Sequence, residues 1–223
     1  KNIWKLDRFD YFIIFFRISL FFLFWLSTLM IGDFLIPFEY WDGPNYVYVA
    51  KTLYTIPNDN PWSIHFHYPT YYFACHLPGF PLVIRFFSMI SLNSYWIGNL
   101  IAILFCSCLS PYVFRRLLIV YECVSSPKWT TLLYLSLPIR NSLYHCVGAS
   151  EPLFLSFCYF VFIFYKTNQK KLMLFSLCGA CLTRIEGLAI VGTIGLCYLM
   201  KFDIFGAFVT SLSFLVHVFL LYL

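Results

Sequence analysis

The chain has 223 residues, of which 61% are hydrophobic and only 11% are charged, with a formal net charge of +5 and a mean hydropathy of +0.78. A soluble globular domain carries roughly one-quarter charged residues, so this composition excludes an ordinary soluble protein and indicates an integral membrane protein. Lys and Arg lie at the ends of apolar runs and form no separate basic patch, which argues against nucleic-acid binding.

The first apolar run is predicted to be a transmembrane helix over residues 11–31. Lys1, Lys5 and Arg8 precede it, so the positive-inside rule places the N-terminus in the cytosol. The run is too long for a cleaved signal peptide and lacks a small-residue cleavage site, which favours a signal anchor. Arg17 lies within the run and is expected to snorkel toward the cytosolic interface.

Residues 33–78 lose the apolar pattern and are rich in Pro, Asn, Asp, His and Tyr, which predicts one large luminal loop. A short interfacial helix is predicted over residues 46–54, and a turn over residues 57–61. The chain re-enters the membrane at Leu77-Pro78-Gly79-Phe80-Pro81. Residues 82–90, which follow, are too few to cross a membrane and are predicted to form a half-inserted helix.

Further transmembrane helices are predicted over residues 95–114, 128–147, 152–165 and 205–223. Residues 172–200 form either one long span or two short ones. A single span would put Lys171 and Lys201 on opposite sides of the membrane, against the positive-inside rule. It would also bury Arg184 and Glu186 in hydrocarbon, so two short spans that meet at this pair are preferred.

The predicted fold is therefore an all-α, polytopic membrane protein with about seven transmembrane helices and a large first luminal loop. It forms a single domain over residues 1–223. Because the chain begins at Lys1 and ends inside an apolar run, we expect it to be a fragment of a longer protein.

This topology gathers most of the costly ionisable residues at the luminal face. They are Glu39, Asp42, His76, Arg85, Arg140, His145, Glu151, Arg184 and Glu186. Such residues at membrane depth mark functional sites or substrate pathways. The Asp42 carboxylate suits a general base or a cation ligand, and Trp41 beside it suits either a stacked sugar or a membrane interface. Glu151 equally suits a helix N-terminus, where the helix dipole favours a carboxylate.

Metal binding is not indicated by the sequence. Most of the nine cysteines lie in apolar runs, where a thiol behaves as a small hydrophobic group. His65 and His67 are close in sequence but lack a third ligand. No cofactor is predicted, although a divalent cation at the luminal carboxylates is left open.

Four motifs, in order along essentially the whole chain, resemble the PIG-V family of GPI mannosyltransferases and its bacterial relatives. They are Trp41-Asp42-Gly43, His76-Leu77-Pro78-Gly79-Phe80-Pro81-Leu82-Val83-Ile84-Arg85, Ala149-Ser150-Glu151-Pro152-Leu153-Phe154 and Leu182-Thr183-Arg184-Ile185-Glu186-Gly187-Leu188. Each motif is weak alone, but four in register are fairly specific. The chain differs from the family at His76-Leu77, where the family has Phe-Phe.

The resemblance implies a glycosyltransferase of the GT-C superfamily in the endoplasmic reticulum membrane, or in the plasma membrane if the protein is bacterial. Such an enzyme takes mannose from dolichyl-phosphate mannose, or a sugar from another polyprenyl phosphate, and passes it to a glycolipid acceptor in GPI-anchor assembly. The reaction inverts the anomeric carbon. An accessory membrane subunit is a further partner that the resemblance allows.

The resemblance also implies roles for individual residues. Asp42 would be the base that deprotonates the acceptor hydroxyl, with Glu39 as a rival three residues earlier. Arg184 or Arg85 would neutralise the departing lipid phosphate, and Glu151 would orient a substrate. The predicted substrate-binding residues are Trp41, His76, Arg85, Glu151, Arg184 and Glu186.

The alternative is a non-catalytic membrane protein, either a transporter or an assembly subunit, in which the same charges line a polar pathway. Transporters often contain two repeated halves, and the sequence shows no such repeat. The large first loop also exceeds what a simple carrier needs. The glycosyltransferase hypothesis is therefore preferred.

Overall fold

The computed structural model describes residues 3–32, 41–60, 68–136 and 139–220, and within these ranges every regular element is a helix. The α-helices are α1 (Arg8–Ile31), α2 (Gly43–Thr52), α3 (Gly79–Ile90), α4 (Tyr95–Tyr121), α5 (Pro127–Ser136), α6 (Ile139–Tyr144), α7 (Glu151–Lys166), α8 (Lys170–Thr183), α9 (Gly187–Met200) and α10 (Ile204–Leu220), and a 3-10 helix covers Thr70–Cys75. The all-α prediction is confirmed for the described residues.

Two helices in the described part of the chain are long and apolar enough to cross a membrane, judged by length and composition. They are α1, with 24 residues, and α4, with 27 residues. Helices α7, α8 and α9 have 16, 14 and 14 residues, fewer than the roughly 20 that a span perpendicular to the membrane needs. The fold is thus compatible with membrane association, whereas seven spans are not shown by these lengths.

The predicted span over residues 128–147 differs from the structure. Helix α5 ends at Ser136 after 10 residues, and α6 covers only the 6 residues from Ile139 to Tyr144. Residues 137 and 138 lie outside the described part of the chain. Position 138 is a proline, and a proline cannot take part in an uninterrupted ladder of helical hydrogen bonds.

The predicted break within residues 172–200 is confirmed. Helix α8 ends at Thr183 and α9 begins at Gly187, so the two helices form a hairpin. At the open end of this hairpin, Lys170 Nζ lies 2.6 Å from the carboxylate of Asp203, just beyond α9. The outer ends of α8 and α9 therefore lie together, and the Arg184 turn is at the opposite end.

One end of the bundle is closed by a buried charge network between α1 and α4. Arg115 donates to Asp7 at 2.7 Å and also to Asp10, and Arg116 donates to Asp10 as well. Asp10 is fully buried and both arginines are 4% exposed. Helix α4 continues to Tyr121, beyond the end predicted at residue 114, and the carboxylates of α1 neutralise its two arginines inside the protein.

Arg17 does not snorkel, contrary to the prediction. Its side chain is only 1% exposed. Arg17 lies on the same face of α1 as Asp10, Ile13 and Phe21, at the spacing of three to four residues that places side chains on one side of a helix. That face is the one buried against the bundle, so the guanidinium is directed inward.

Two clusters of buried apolar residues hold the helices together. The first joins α1, α2, α3, α4 and the start of α7, and includes Phe21, Tyr46, Phe80, Ile84, Ile103 and Leu153. The second joins the later part of α4 to α7, α8 and α9, and includes Val113, Val161, Met173, Leu177 and Ile194. The first cluster supports the end of the bundle where the predicted site residues lie.

Candidate functional site

Asp42 directly precedes α2, at the position where an aspartate usually caps the helix. Its carboxylate makes no capping hydrogen bond, and Oδ1 lies 3.5 Å from Nε2 of His76 instead. The Asp42 side chain is 43% exposed, whereas that of His76 is 4% exposed. Trp41, just before it, has a φ of 61°, a left-handed conformation that is strained for a tryptophan. The local chain thus directs the carboxylate away from its own helix.

His76 is held on several sides. The Tyr54 hydroxyl donates to the His76 carbonyl at 2.6 Å. The rings of Tyr46 and Tyr72 have centroids 5.2 and 5.3 Å from the imidazole, and the Cys75 sulfur lies 3.4 Å from Nδ1. The imidazole is therefore fixed in place and holds the exposed carboxylate of Asp42.

Tyr46 links α2 to the start of α7. Its hydroxyl donates to Oγ of Ser150 at 3.0 Å, and both residues are buried. Burial raises the pKa of Tyr46 to about 12, and the negative charges of Asp42 and Glu151 act in the same direction. The phenol therefore stays protonated at neutral pH and acts as a hydrogen-bond donor, not as a base.

Arg184 lies in the turn between α8 and α9 and binds two carboxylates. Nη1 donates to Glu151 at 2.7 Å, and Nη2 and Nε donate to Glu186 at 3.0 and 3.2 Å. Burial lowers the pKa of Arg184, but the two glutamates more than offset this and raise it above its usual value. On a continuous helix Arg184 and Glu186 would point apart, so the break between the helices is what lets them pair.

Close backbone contacts bring these segments together. A Cβ added to Gly148 would lie 2.5 Å from Cα of Gly43, so α2 and the segment before α7 approach each other at two glycines. A Cβ on Gly79 would lie 2.9 Å from the carbonyl carbon of Leu182. The start of α3 therefore packs against the end of α8, next to Arg184.

The N-termini of α2, α3, α7 and α9 consequently meet at one end of the bundle. None of these helices has a side-chain cap, so their first-turn N–H groups carry positive partial charge, which Glu151 offsets in the first turn of α7. The His76 hydrogen bond lowers the pKa of Asp42, with smaller contributions from Asn45 and Arg184. The arrangement joins an ionised carboxylate with a surface suited to binding an anion.

Five of the predicted site residues are thus brought together: Asp42, His76, Glu151, Arg184 and Glu186. Trp41 lies beside them, with its ring centroid 5.1 Å from that of Tyr144. Glu39 and the side chain of Arg140 lie outside the described part of the chain.

Arg85 and His145 make contacts of another kind. Arg85 donates to the carbonyl of Ala50 at 2.9 Å, close to the C-terminus of α2, so its guanidinium binds helix backbone. His145 is 2% exposed, and its Nδ1 lies 2.7 Å from the carbonyl of Asn141. These contacts join both side chains to backbone carbonyls, although Nε2 of His145 is buried without a hydrogen-bond partner among the described residues.

Sequence reasoning considered Tyr46 only as an aromatic residue that could stack on a sugar or lie at the membrane interface, and it assigned no site role to Ser150 or Tyr54. Tyr46 follows Asp42 by one helical turn, and Ser150 directly precedes Glu151, so their proximity to the motifs was a usable signal. It also passed over the Cys-x-x-Cys pair of Cys178 and Cys181 on α8, which are free thiols. The described residues contain no cluster of three or more His, Cys, Asp or Glu side chains that could hold a metal ion.

Comparison of the chain with models of known protein families, with curated proteins and with solved structures finds no match. The function must therefore be inferred from the site geometry and from the sequence motifs.

Proposed function

We propose that the protein is a membrane-bound glycosyltransferase that transfers mannose from dolichyl-phosphate mannose, or a sugar from another polyprenyl phosphate, to a glycolipid acceptor. One observation carries this proposal: the half-exposed carboxylate of Asp42 lies where Arg184 and the N-termini of four helices meet. Transfer from a lipid phosphate requires a base for the acceptor and positive charge for the leaving phosphate. The motif resemblance to the PIG-V family supports mannose and GPI-anchor assembly.

In the proposed reaction, Asp42 accepts the proton of the acceptor hydroxyl while that oxygen attacks the anomeric carbon of the donor sugar. The bond from this carbon to the phosphate oxygen breaks, and the phosphate leaves with the bonding electrons. A single displacement inverts the configuration. His76 Nε2 lies 3.5 Å from the carboxylate and lowers the pKa of Asp42, which favours the ionised form that a base requires.

The leaving phosphate gains negative charge as the bond breaks. Arg184 is suited to stabilise it because its guanidinium carries more N–H groups than the bonds to Glu151 and Glu186 use. Its side chain is 30% exposed, so these groups are accessible. Arg184 is therefore preferred to Arg85, whose guanidinium binds the backbone of α2.

The proposal includes a luminal site in a chain of about seven spans. These are α1, α4, the α5–α6 segment, α7, α8, α9 and α10. The basic residues at the other end of the bundle, among them Arg115, Lys170 and Lys201, support this orientation, because positive charge is retained in the cytosol. The short helices would require a locally thin bilayer or burial of their ends among the other helices.

Substitution Asp42→Asn tests the proposal because it keeps the shape of the side chain and removes its basicity. Membranes that contain the protein would be supplied with labelled dolichyl-phosphate mannose and GPI-anchor intermediates. We expect a loss of transfer of about 10²- to 10⁴-fold, the usual contribution of a general base. Asp203→Asn, which changes a carboxylate at the opposite end, is the matched control and should retain activity.

Full transfer by a correctly inserted Asp42→Asn protein would contradict the role of Asp42. A loss in Glu39→Gln but not in Asp42→Asn would assign the base to Glu39. Absence of transfer by the unsubstituted protein, with any polyprenyl-phosphate sugar, would favour the non-catalytic membrane protein.

A further inference from the structure

Arg17 is a buried charge whose counter-ion is missing from the described part of the chain. Its side chain is 1% exposed, and among the described residues Nε and Nη2 have no hydrogen-bond partner. The titratable groups that act on it most strongly are Cys146, which also hydrogen-bonds to the guanidinium, Cys108 and Tyr134, and none of these is a carboxylate. Burying a charge without a partner costs several kcal/mol, so an anionic partner would relieve a large penalty.

Arg17 also forms part of the wall of a cavity of about 640 Å³ between α1 and the α5–α6 segment. The remaining wall is mostly apolar and includes Leu20, Phe24, Leu135 and Leu143. An occupant of this cavity must therefore be apolar over most of its surface, with an acidic group opposite Arg17.

The depth of Arg17 separates two kinds of acidic occupant. At 1.5 Å per residue, Arg17 lies about 14 Å along α1 from Arg8, where the helix begins. The hydrocarbon core of a bilayer is about 30 Å thick, so Arg17 lies near the midplane if α1 crosses the membrane. A phospholipid phosphate sits at the interface and would have to be drawn into hydrocarbon. An acidic side chain on a transmembrane helix can be at any depth.

We propose that a membrane-spanning helix of a partner protein docks against α1 and the α5–α6 segment and places an Asp or Glu side chain against Arg17. The apolar cavity wall receives the body of the helix. The carboxylate forms a charge-assisted hydrogen bond with the guanidinium, the pairing typical of charges inside membranes. This inference rests on α1 crossing the membrane and is independent of the chemistry at Asp42.

The test uses the full chain in phosphatidylcholine vesicles with synthetic transmembrane peptides of leucine and alanine. One peptide carries Asp at its centre, and the matched peptide carries Asn there. Energy transfer between labelled peptide and protein measures association. We expect the Asp peptide to bind at least about tenfold more tightly than the Asn peptide, because a charged hydrogen bond replaces a neutral one.

Substitutions in the protein test whether the preference for the Asp peptide depends on Arg17. Arg17→Gln should abolish the preference for Asp, whereas Arg17→Lys should retain part of it. Arg8→Gln, which removes an exposed arginine from the start of the same helix, should leave the preference unchanged. Thermal unfolding of each variant separates loss of binding from loss of the fold, and Arg17→Lys keeps the test valid if Arg17→Gln unfolds.

Equal binding of the two peptides would overturn the proposal, as would an Asp preference that survives Arg17→Gln. Vesicles that contain phosphatidic acid test whether a lipid phosphate binds to Arg17 instead of a helix. If the Asp peptide binds no better than the Asn peptide while phosphatidic acid binds only when Arg17 is present, a lipid phosphate occupies the cavity and the docking helix is excluded. None of these readouts requires sugar transfer, so failure here is distinct from failure of the proposed glycosyltransferase.

Discussion

The two ends of the bundle use charge in opposite ways. At one end, Asp10, Arg115 and Arg116 are almost fully buried and form a network in which each carboxylate faces a guanidinium. At the other end, the side chains of Asp42 and Arg184 are 43% and 30% exposed. The buried residues of the first set expose little surface to which a ligand could bind, whereas the exposed side chains of the second set can bind one. The comparison separates charges that stabilise the fold from charges available for chemistry.

The helix ends reinforce this difference. Helix α1 begins with a complete capping box, in which the Asp7 side chain accepts from Asp10 N and the Asp10 side chain accepts from Asp7 N. The bond from Arg115 holds the pKa of Asp7 well below its usual range. At the candidate site the helices begin without side-chain caps, and the nearby carboxylates bind His76 and Arg184 instead. Uncapped N-termini there leave donors for a bound anion.

The largest effect is expected from Asp10→Asn in the closed network. The change removes the negative charge between two buried arginines and leaves them without full compensation. Breaking a buried ion pair by removing one partner costs about 3–5 kcal/mol of stability. Thermal unfolding in detergent should show a correspondingly large fall in the midpoint.

Asp7→Asn is the matched control, because Asp7 belongs to the same network but its side chain is 49% exposed. Asparagine also caps a helix well, so this variant should lose much less stability. Similar losses for the two variants would show that burial does not distinguish the two aspartates.

A smaller effect is expected from Gly148→Ala, which acts on the candidate site. The added methyl group would lie 2.5 Å from Cα of Gly43, so α2 must move away from the segment before α7. Overpacking of this kind costs about 1–3 kcal/mol. Because Gly43 follows Asp42, sugar transfer should fall by more than the loss of folded protein explains.

Gly192→Ala is the control for this prediction, because a Cβ at that position has no atom within 4 Å. It should leave both stability and transfer nearly unchanged. If Gly148→Ala retains transfer per folded molecule, the contact between the two glycines does not position Asp42.

Many of the helix positions could be predicted from the sequence, because the length of an apolar run and the charges at its ends are local features of the chain. The break at Arg184 followed from the cost of burying Arg184 and Glu186, and the structure confirms it. The inward direction of the Arg17 side chain could not be predicted from the sequence. Snorkelling and burial are both open to an arginine in an apolar run, and only the packing of α1 decides between them.

The candidate site was predictable in part. Asp42, Glu151 and Arg184 stood out as ionisable residues that the predicted topology gathers at the luminal face, and they do lie together. Arg85 stood out for the same reason, yet its guanidinium binds the carbonyl of Ala50. Whether a cation meets a carboxylate or a backbone carbonyl depends on distances across the fold, which a motif does not contain.

The smallest expected effect is a change in pH dependence in His76→Phe, which introduces the residue found at this position in the family that the motifs resemble. The His76 hydrogen bond lowers the pKa of Asp42, so its removal should let that pKa rise toward the usual value. A base must be ionised, so the acid limb of kcat/KM should move to higher pH. Activity well above the limb should change less.

His76→Gln is the matched variant, because it keeps an N–H donor and should shift the acid limb less than His76→Phe. Stability provides a second readout with a defined sign. A carboxyl whose pKa is lowered by folding contributes stability above its unfolded pKa, and this contribution is lost as the pH falls through the folded value. His76→Phe should therefore lose stability at neutral pH and then lose less on acidification. An acid limb that moves to lower pH would mean that His76 does not stabilise the ionised form of Asp42.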